Sequence, residues 1–532
     1  MWSAPSLVSA GCLAICFAWQ KFCKLPGAWL KQLDSLGRPR KYMLPGTAIV
    51  CGGSISGIVA ARICGDHFER VIIVDPEIED SEKPKTRILQ YNAGHVFLSL
   101  FVQGARRLWP NFDSEMEAAG GRFGSADPGI HYSGVPVLAP YQDYPADRFP
   151  DTLIVRRSIG QKVLHRLLTQ HSTSSKLARI AGTVRGVCAS KDKTSIDSVT
   201  VRQLDGSRLS LDNVALVIDC TGTTQAGFKW LKSAGFDLPE SIRAHYNGNI
   251  SYITFGFTVP SELAAKLPVP PAQLKTMTVY AYIASDEAES SSFALFHSNN
   301  TMQLMFVDSI GRDLPRAAAE VIPFIAGFRG IKIPIPFWVT ETMELLCEHG
   351  DPSLDAIKIR TSRFLLSIIC PRKDYAAAQS FVRYHTLPAG ALPANFIALG
   401  DASLKLNPIH GQGFSKSMLN GMALNSLLHA TNSGLPADFS TRYFRNSADT
   451  MNSLWDGTRL HDYGSPGCEP MEGETKDTGR IMRWFELKMI SAAVKDEEVA
   501  SALWHVRHMF AADRIFLAPT ILWKILWARS LF

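Results

Sequence analysis

The residues best suited to chemistry begin with Gly52-Gly53-Ser54-Ile55-Ser56-Gly57, followed by Asp75, 23 residues beyond Gly52. A glycine at 52 permits a tight turn after a strand, and one at 57 lets the following helix pack close to that strand. The backbone N–H groups opening the helix then point outward, where the helix dipole favours a pyrophosphate. Asp75 stands where an acid accepts hydrogen bonds from an adenosine ribose. The pattern departs from the dinucleotide fingerprint at its middle glycine, which here is Ser54 and brings a Cβ to where the phosphates approach. A glycine turn alone is as often structural, but strand, turn, helix, strand and terminal acid together point to a bound dinucleotide.

A second stretch runs from Gly400-Asp401-Ala402 to Asn407-Pro408-Ile409-His410-Gly411-Gln412-Gly413. Gly411 and Gly413 allow close backbone approach, and the helix after them aims its N-terminus at negative charge. The stretch resembles the GD…NPxxGQG signature of FAD-dependent monooxygenases of the aromatic-hydroxylase type (group A, p-hydroxybenzoate hydroxylase-like), which also include halogenases and epoxidases. The likeness covers most of the chain after residue 46. Leu216 to Gly222, with Asp219, is similar to the central DxxG motif, and Ile88 to His95 is similar to the loop whose Gln, here Gln90, lies near the flavin. Val155-Arg156-Arg157-Ser158 resembles the start of the helix whose Arg faces the FAD phosphates; Arg157 is the better match, because a planar fork suits a pyrophosphate. The tail from Lys495 to Pro519 is similar to the helical tail of related soluble oxidoreductases, although its Trp, Lys and Arg pattern also suits an interface.

The resemblance implies FAD as cofactor, with Asp401 on the ribityl or ribose side and Pro408 and the glycine turn, including Gln412, beside the isoalloxazine ring. It further implies transfer of one oxygen atom from O2 to an apolar small molecule, by hydroxylation or epoxidation, in secondary-metabolite biosynthesis. The Trp-x-Trp-x-Ile-Pro motif of many flavin halogenases is absent, which disfavours halogenation. No second glycine-rich βαβ turn exists for NAD(P)H, so that coenzyme would act as a transient electron donor at the flavin domain, or a partner would supply electrons. Asp219 is the position nearest that question, although a strand-end Asp also caps turns. His95 and His410 fall in loops that the resemblance places beside the flavin. Each is a candidate for orienting substrate or donating a proton, and each also reads as an ordinary hydrogen-bonded loop histidine. No metal is expected, and no Ser/His/Asp pattern suggests hydrolysis.

These residues need a scaffold. Gly46 to Asp75 reads as strand, turn, helix, strand, and Phe396 to Gly413 as a returning strand and turn before a helix to about Leu428. Between them lie strand-like stretches such as Ile250–Val259, Thr278–Ala284 and Gln303–Val307. The expected fold class is α/β: a Rossmann-like FAD-binding domain (GR2-type) with an inserted β-rich substrate domain and a C-terminal helical region. The expected boundaries are 1–40 for an N-terminal anchor or linker, 45–235 and 391–430 for the cofactor domain, 236–390 for the insert, and 431–532 for the helical region. Phe255, Phe257, Tyr280, Tyr282 and Phe306 alternate at strand spacing in the insert. They read as core, or as the lining of an apolar pocket at the domain interface.

The composition is 46% hydrophobic and 20% charged, a globular balance, and the net charge of +6 comes from scattered Lys and Arg without a basic stripe, which argues against nucleic-acid binding. The ten cysteines form no CxxC pair and read as reduced structural thiols. Leu7 to Trp19 is almost wholly apolar and is followed by Lys21, Lys24 and Lys31. This reads as a single membrane anchor with the FAD domain facing the cytosol, at the endoplasmic reticulum, or as a helix lying in the interface or packing on the protein. A lipophilic substrate fits membrane association. Two other functions stay open: a flavin-dependent reductase or dehydrogenase of the isoprenoid-reducing kind, and a non-catalytic escort of the same fold for prenylated partners.

Overall fold

A computed structural model describes residues 16–531 apart from 25, 79–94, 126–128, 139, 141–142, 145–148, 172–175, 275, 285–288, 290, 299–300, 310–311, 330, 350 and 359–377; for 351–358 it describes the backbone. Gln90 and the loop from Ile88 to Gly94 therefore lie outside the described residues. The cofactor domain opens with β1 (Leu44–Cys51), α1 (Ile55–Gly65) and β2 (Phe68–Val74). Short strands β3 (Ile130–Tyr132) and β4 (Val135–Pro136) precede α2 (Arg157–Gln170), β5 (Leu177–Ile180) and β6 (Val214–Asp219). Next come β7 (Ser251–Thr258), β8 (Thr278–Ile283), β9 (Ser292–Ser298), β10 (Thr301–Asp308), α3 (Val321–Ala326), α4 (Phe337–His349) and β11 (Asp351–Lys358). The chain returns with β12 (Phe396–Ala398) and α5 (Gly413–His429), then ends in α6 (Phe439–Asp462), α7 (Arg480–Ala493), α8 (Glu497–Arg507) and α9 (Pro519–Trp527).

The cofactor domain is built on a five-stranded sheet in the order β12-β6-β1-β2-β5, parallel throughout. Its strands are apolar because they are covered by α1 and by antiparallel strands between residues 182 and 211, and Ile49, Val50 and Ile73 are fully buried. Register decides what emerges at the sheet's carboxyl edge. Cys51 pairs with Val74 on one side and Asp219 on the other, and Asp219 pairs with Ala398. Gly52, Asp75, Cys220 and Gly400 therefore leave the sheet side by side, where parallel α/β sheets bind their ligands.

The second sheet has seven strands in the order β11-β7-β10-β9-β8-β3-β4. β3 and β4 come from within the first half of the cofactor domain, so this sheet draws on more of the chain than residues 236–390. Period-two alternation divides its side chains. Phe255, Phe257, Tyr280, Tyr282, Phe293 and Phe306 pack with Val321, Phe328, Val339 and Met343 of the segments around α3 and α4. Ile130, Ala281, Ala294 and Phe296 take the other face, with Met277 and with Ile154 and Val96 from the cofactor side. All five insert aromatics singled out from sequence thus belong to the core beneath α3 and α4, and the pocket reading for them fails.

The expected membrane-spanning anchor is also corrected. Among the described residues no helix is long and apolar enough to cross a membrane. Residues 16–23 are helical and dock on the C-terminal helices. Cys23 is fully buried against Met489, Phe516, Ile521 and Ile525. The Trp19 indole donates to the Leu517 carbonyl at 3.2 Å, Gln20 donates to Thr520 at 2.7 Å, and Lys24 pairs with Glu498 at 2.6 Å. In this part of the N-terminus Cys23 is covered by protein, while Phe17, Trp19 and Phe22 stay 63%, 47% and 48% exposed.

Candidate functional site

Two helix N-termini meet at the carboxyl edge of the parallel sheet. α1 begins after Ser54 and α5 after Gln412; neither has a side-chain cap or an acidic residue in its first turn. Their positive dipole ends are left for something else to satisfy. The helix starts touch: Ser56 Oγ, in the first turn of α1, lies 2.8 Å from Oγ of Ser417, the fifth residue of α5. A Cβ on Gly400 would lie 2.1 Å from Ser56 Oγ, and farther along Gly421 lets α5 approach Val59 and Ile63 of α1, which a Cβ there would meet at 2.8 and 2.9 Å.

The first turn is held by packing and by Asp75. Gly52 has φ +121°, and a Cβ there would meet the Cys220 carbonyl at 2.2 Å; one on Gly57 would meet the Gly52 carbonyl at 1.8 Å. Asp75 accepts the Gly53 N–H at 2.9 Å and the Glu77 N–H at 2.8 Å. Ser54 is unstrained at φ −89°, so the missing middle glycine costs the backbone nothing. Its hydroxyl accepts from Arg157 Nη2 at 3.2 Å and lies 3.2 Å from Gln161 Oε1.

Arg157 joins the two turns. It reaches Ser54 from α2 while its guanidinium lies 5.6 Å from the ring centroid of Phe414, the second residue of α5. Phe414 stacks on Phe97 at 4.2 Å, and the His95 ring lies 5.3 Å from it. His95 is thus at the α5 N-terminus, whereas His410 lies on the other side of Gly411, with Nε2 3.4 Å from Asp462 Oδ1. Pro408 opens a single turn capped by Asn407, whose side chain accepts the Ile409 N–H at 3.1 Å.

Charge at the junction is net positive. Lys416, whose side chain is fully buried, pairs with Asp401 at 2.6 Å and also donates to the Leu404 carbonyl. Desolvation pushes the Asp401 carboxyl up, but Lys416, with Arg157 and Lys405 farther off, outweighs it and holds the group below its usual range. Burial lowers the Lys405 ammonium to about 8 despite the attraction of Asp401. Asp219 resolves as a turn cap: it is fully buried and accepts from the Thr221 hydroxyl at 2.7 Å and the Gly227 N–H at 2.7 Å.

Sequence reasoning missed Lys416, Lys405, Phe414 and Gln161. Lys416 left one signal, a lone cation in the apolar run of α5. Among the described residues, His410, His461 and Asp462 also offer ligand atoms within 4.8 Å of one another.

A flavin dinucleotide suits this donor set. A Cβ on Gly411 or Gly413 would meet no described atom within 4 Å, so these glycines border open space while Gly52, Gly57 and Gly400 do not. The buried Gln412 Oε1 has no hydrogen-bond partner among the described residues. On the second sheet, Ala281, Ala294 and Phe296 share a buried cluster with Val96, the residue between His95 and Phe97.

No family model matches the chain. Protein Rv3254 of Mycobacterium tuberculosis is 21% identical over 502 residues, covering 91% of this chain and 93% of the relative. The flavin-dependent brominase Bmp2 superposes with a TM-score of 0.54 at 12% identity over 90% of this chain and 98% of its own. PqsL of Pseudomonas aeruginosa, described as a probable FAD-dependent monooxygenase, gives 0.50 at 14% identity over 79% and 96%. The fold is that of the flavin-dependent monooxygenases, as the two glycine motifs had implied.

Proposed function

We propose that this protein is a FAD-dependent monooxygenase that inserts one oxygen atom of O2 into an apolar small molecule, by hydroxylation or epoxidation, with NAD(P)H as transient electron donor. A role in secondary-metabolite biosynthesis is part of this reading. The observation that carries it is the contact of the two uncapped helix N-termini, Ser56 against Ser417 at 2.8 Å, ringed by Arg157, Lys405 and Lys416.

Bound there and reduced, FAD would supply the oxygen activation and transfer. The chain's own residues have the simpler tasks of binding and exclusion. The turn at 52–57 with Arg157 would hold the pyrophosphate, Asp75 the adenosine ribose, Asp401 the ribityl side, and the α5 N-terminus the electron-rich edge of the ring. The apolar face of the second sheet would keep water from the acceptor. On that face Gln303, buried and paired in register with Gly256 and Phe296, carries an Oε1 with no partner among the described residues. It offers a lipophilic substrate one polar contact. His95, beside Phe414, is the better placed of the two histidines to meet substrate.

The test is turnover of candidate lipophilic metabolites by flavin-loaded protein and NAD(P)H under labelled O2. The product should gain one labelled oxygen atom. Anaerobic turnover without label would instead mark a reductase, and purified protein without flavin absorbance that takes up no FAD would end the flavin reading.

A further inference from the structure

The C-terminal helical region reaches into the second glycine turn through one buried carboxylate. Asp462, the last residue of α6, is 5% exposed. Its Oδ2 accepts from the Tyr246 hydroxyl at 2.6 Å and its Oδ1 from Asn407 Nδ2 at 2.8 Å, with His410 Nε2 3.4 Å from the same oxygen. Asn407 passes the constraint on, because its own carbonyl oxygen takes the Ile409 N–H at 3.1 Å. The next residues are His410 and Gly411, the latter at φ +66°, then Gln412 and the start of α5. The neighbouring His461 is braced in turn: its Nδ1 lies 2.9 and 3.0 Å from the two oxygens of Glu486 on α7, and its ring meets His410 edge-on at 5.2 Å.

Three donors converging on one buried group call for a side chain that only accepts and has two oxygens, which a carboxylate provides. An amide would either set its NH2 against the Asn407 NH2 or turn the Tyr246 hydroxyl into an acceptor and leave its proton without this partner, and an apolar residue would leave both donors unsatisfied, each at a desolvation penalty. With the carboxylate in place, the Asn407 side chain is held where its Oδ1 accepts the Ile409 N–H.

We infer that Asp462 is a positioning residue for the flavin: from the helical region it holds, through Asn407 and His410, the turn at 407–413 that receives the isoalloxazine ring. This rests on the flavin reading above. The same atoms admit another use, since His410, His461 and Asp462 are near enough to share a metal ion. Both Asp462 oxygens are already taken by side-chain donors, and the shortest of these contacts come from Tyr246 and Asn407, which is the pattern of a hydrogen-bonded brace.

The experiment compares full-length wild type, Asp462→Asn and Asn407→Ala, each stripped of flavin and titrated with FAD. Hydrogen exchange of the peptide spanning 404–414 and the visible spectrum of the bound flavin are recorded alongside. Wild type should bind FAD; both variants should bind at least ten-fold more weakly, with a shifted flavin spectrum and faster exchange at Ile409 to Gly411, while exchange in β1 and α1 stays unchanged. A fourth protein carrying both Asp462→Asn and Asn407→Ala should be no worse than Asp462→Asn, since both changes break one chain of contacts. Should Asp462→Asn fail to fold, Asn407→Ala carries the test, because it cuts the same link and leaves the Tyr246 bond intact. Wild-type affinity and spectrum in a folded variant overturn the inference alone. A wild type that binds no FAD overturns the flavin reading with it. A stoichiometric divalent ion in the wild type, whose removal by chelator reproduces the variant spectrum, overturns it in favour of metal ligation.

Discussion

Gly413→Ala adds one methyl at the first residue of α5, and it separates ligand binding from folding. No described atom lies within 4 Å of the added Cβ, and the residue has no left-handed φ. In the flavin-free protein the change is therefore neutral, or stabilising by up to about 1 kcal/mol as alanine replaces glycine in a helix. For a chain of this size that is a melting-temperature rise of at most about 2 °C. With the ring seated against Gly413 the same methyl overpacks a close contact, which costs about 1–3 kcal/mol, or a Kd for FAD roughly 5- to 150-fold higher. Flavin-fluorescence titration and thermal melting of the flavin-free protein give both numbers. Gly57→Ala is the contrast, since its Cβ would sit 1.8 Å from the Gly52 carbonyl and soluble protein should be lost. A Gly413→Ala protein that binds FAD within two-fold of wild type would refute the placement of the ring, and one that melts well below wild type would show this glycine to be structural.

Asp401→Ala strips the fully buried Lys416 of a carboxylate that is itself 43% exposed and should lower unfolding stability by about 1–3 kcal/mol, read by denaturant melts; adding Lys416→Met should restore part of the loss. Lys405, lowered to about 8 by burial, is protonated at pH 6 to 7 and loses its charge as pH rises through 8. FAD affinity should fall between pH 7 and 9, and Lys405→Met should flatten that profile. The stability sign is opposite: the unfolded chain keeps the Lys405 proton up to its ordinary value of 10.5, so this residue's contribution to flavin-free stability grows as pH rises from 8 toward 10.5. Gln303→Leu removes a buried carbonyl oxygen that lacks a partner among the described residues, so melting temperature should hold or rise while KM for the lipophilic substrate rises several-fold; an unchanged KM would take Gln303 out of the substrate site.

What could be read from the chain in order was whatever depends on near neighbours. Gly52, Gly57 and Asp75 belong to one βαβ unit, and Gly400 to Gly413 to one strand, turn and helix, so residue type and spacing carried them directly. Alternation likewise grouped Phe255, Phe257, Tyr280, Tyr282 and Phe306 on common faces. It could not say which face looks toward the cofactor, because that follows from where α3 and α4 pack. The apolar N-terminal run, described only from residue 16, did not say what its neighbours meet; only the fold put Cys23 against Ile521 and Ile525 and left Phe17, Trp19 and Phe22 exposed. The contacts that make the site lie hundreds of residues apart, with Ser56 to Ser417 separated by 361 positions and Tyr246 to Asp462 by 216. Local pattern settled which turns bind charge. Tertiary structure alone brought both turns, the buried Lys416 and the Asp462 brace to one opening, since burial and hydrogen-bond satisfaction are properties of the packed chain as a whole.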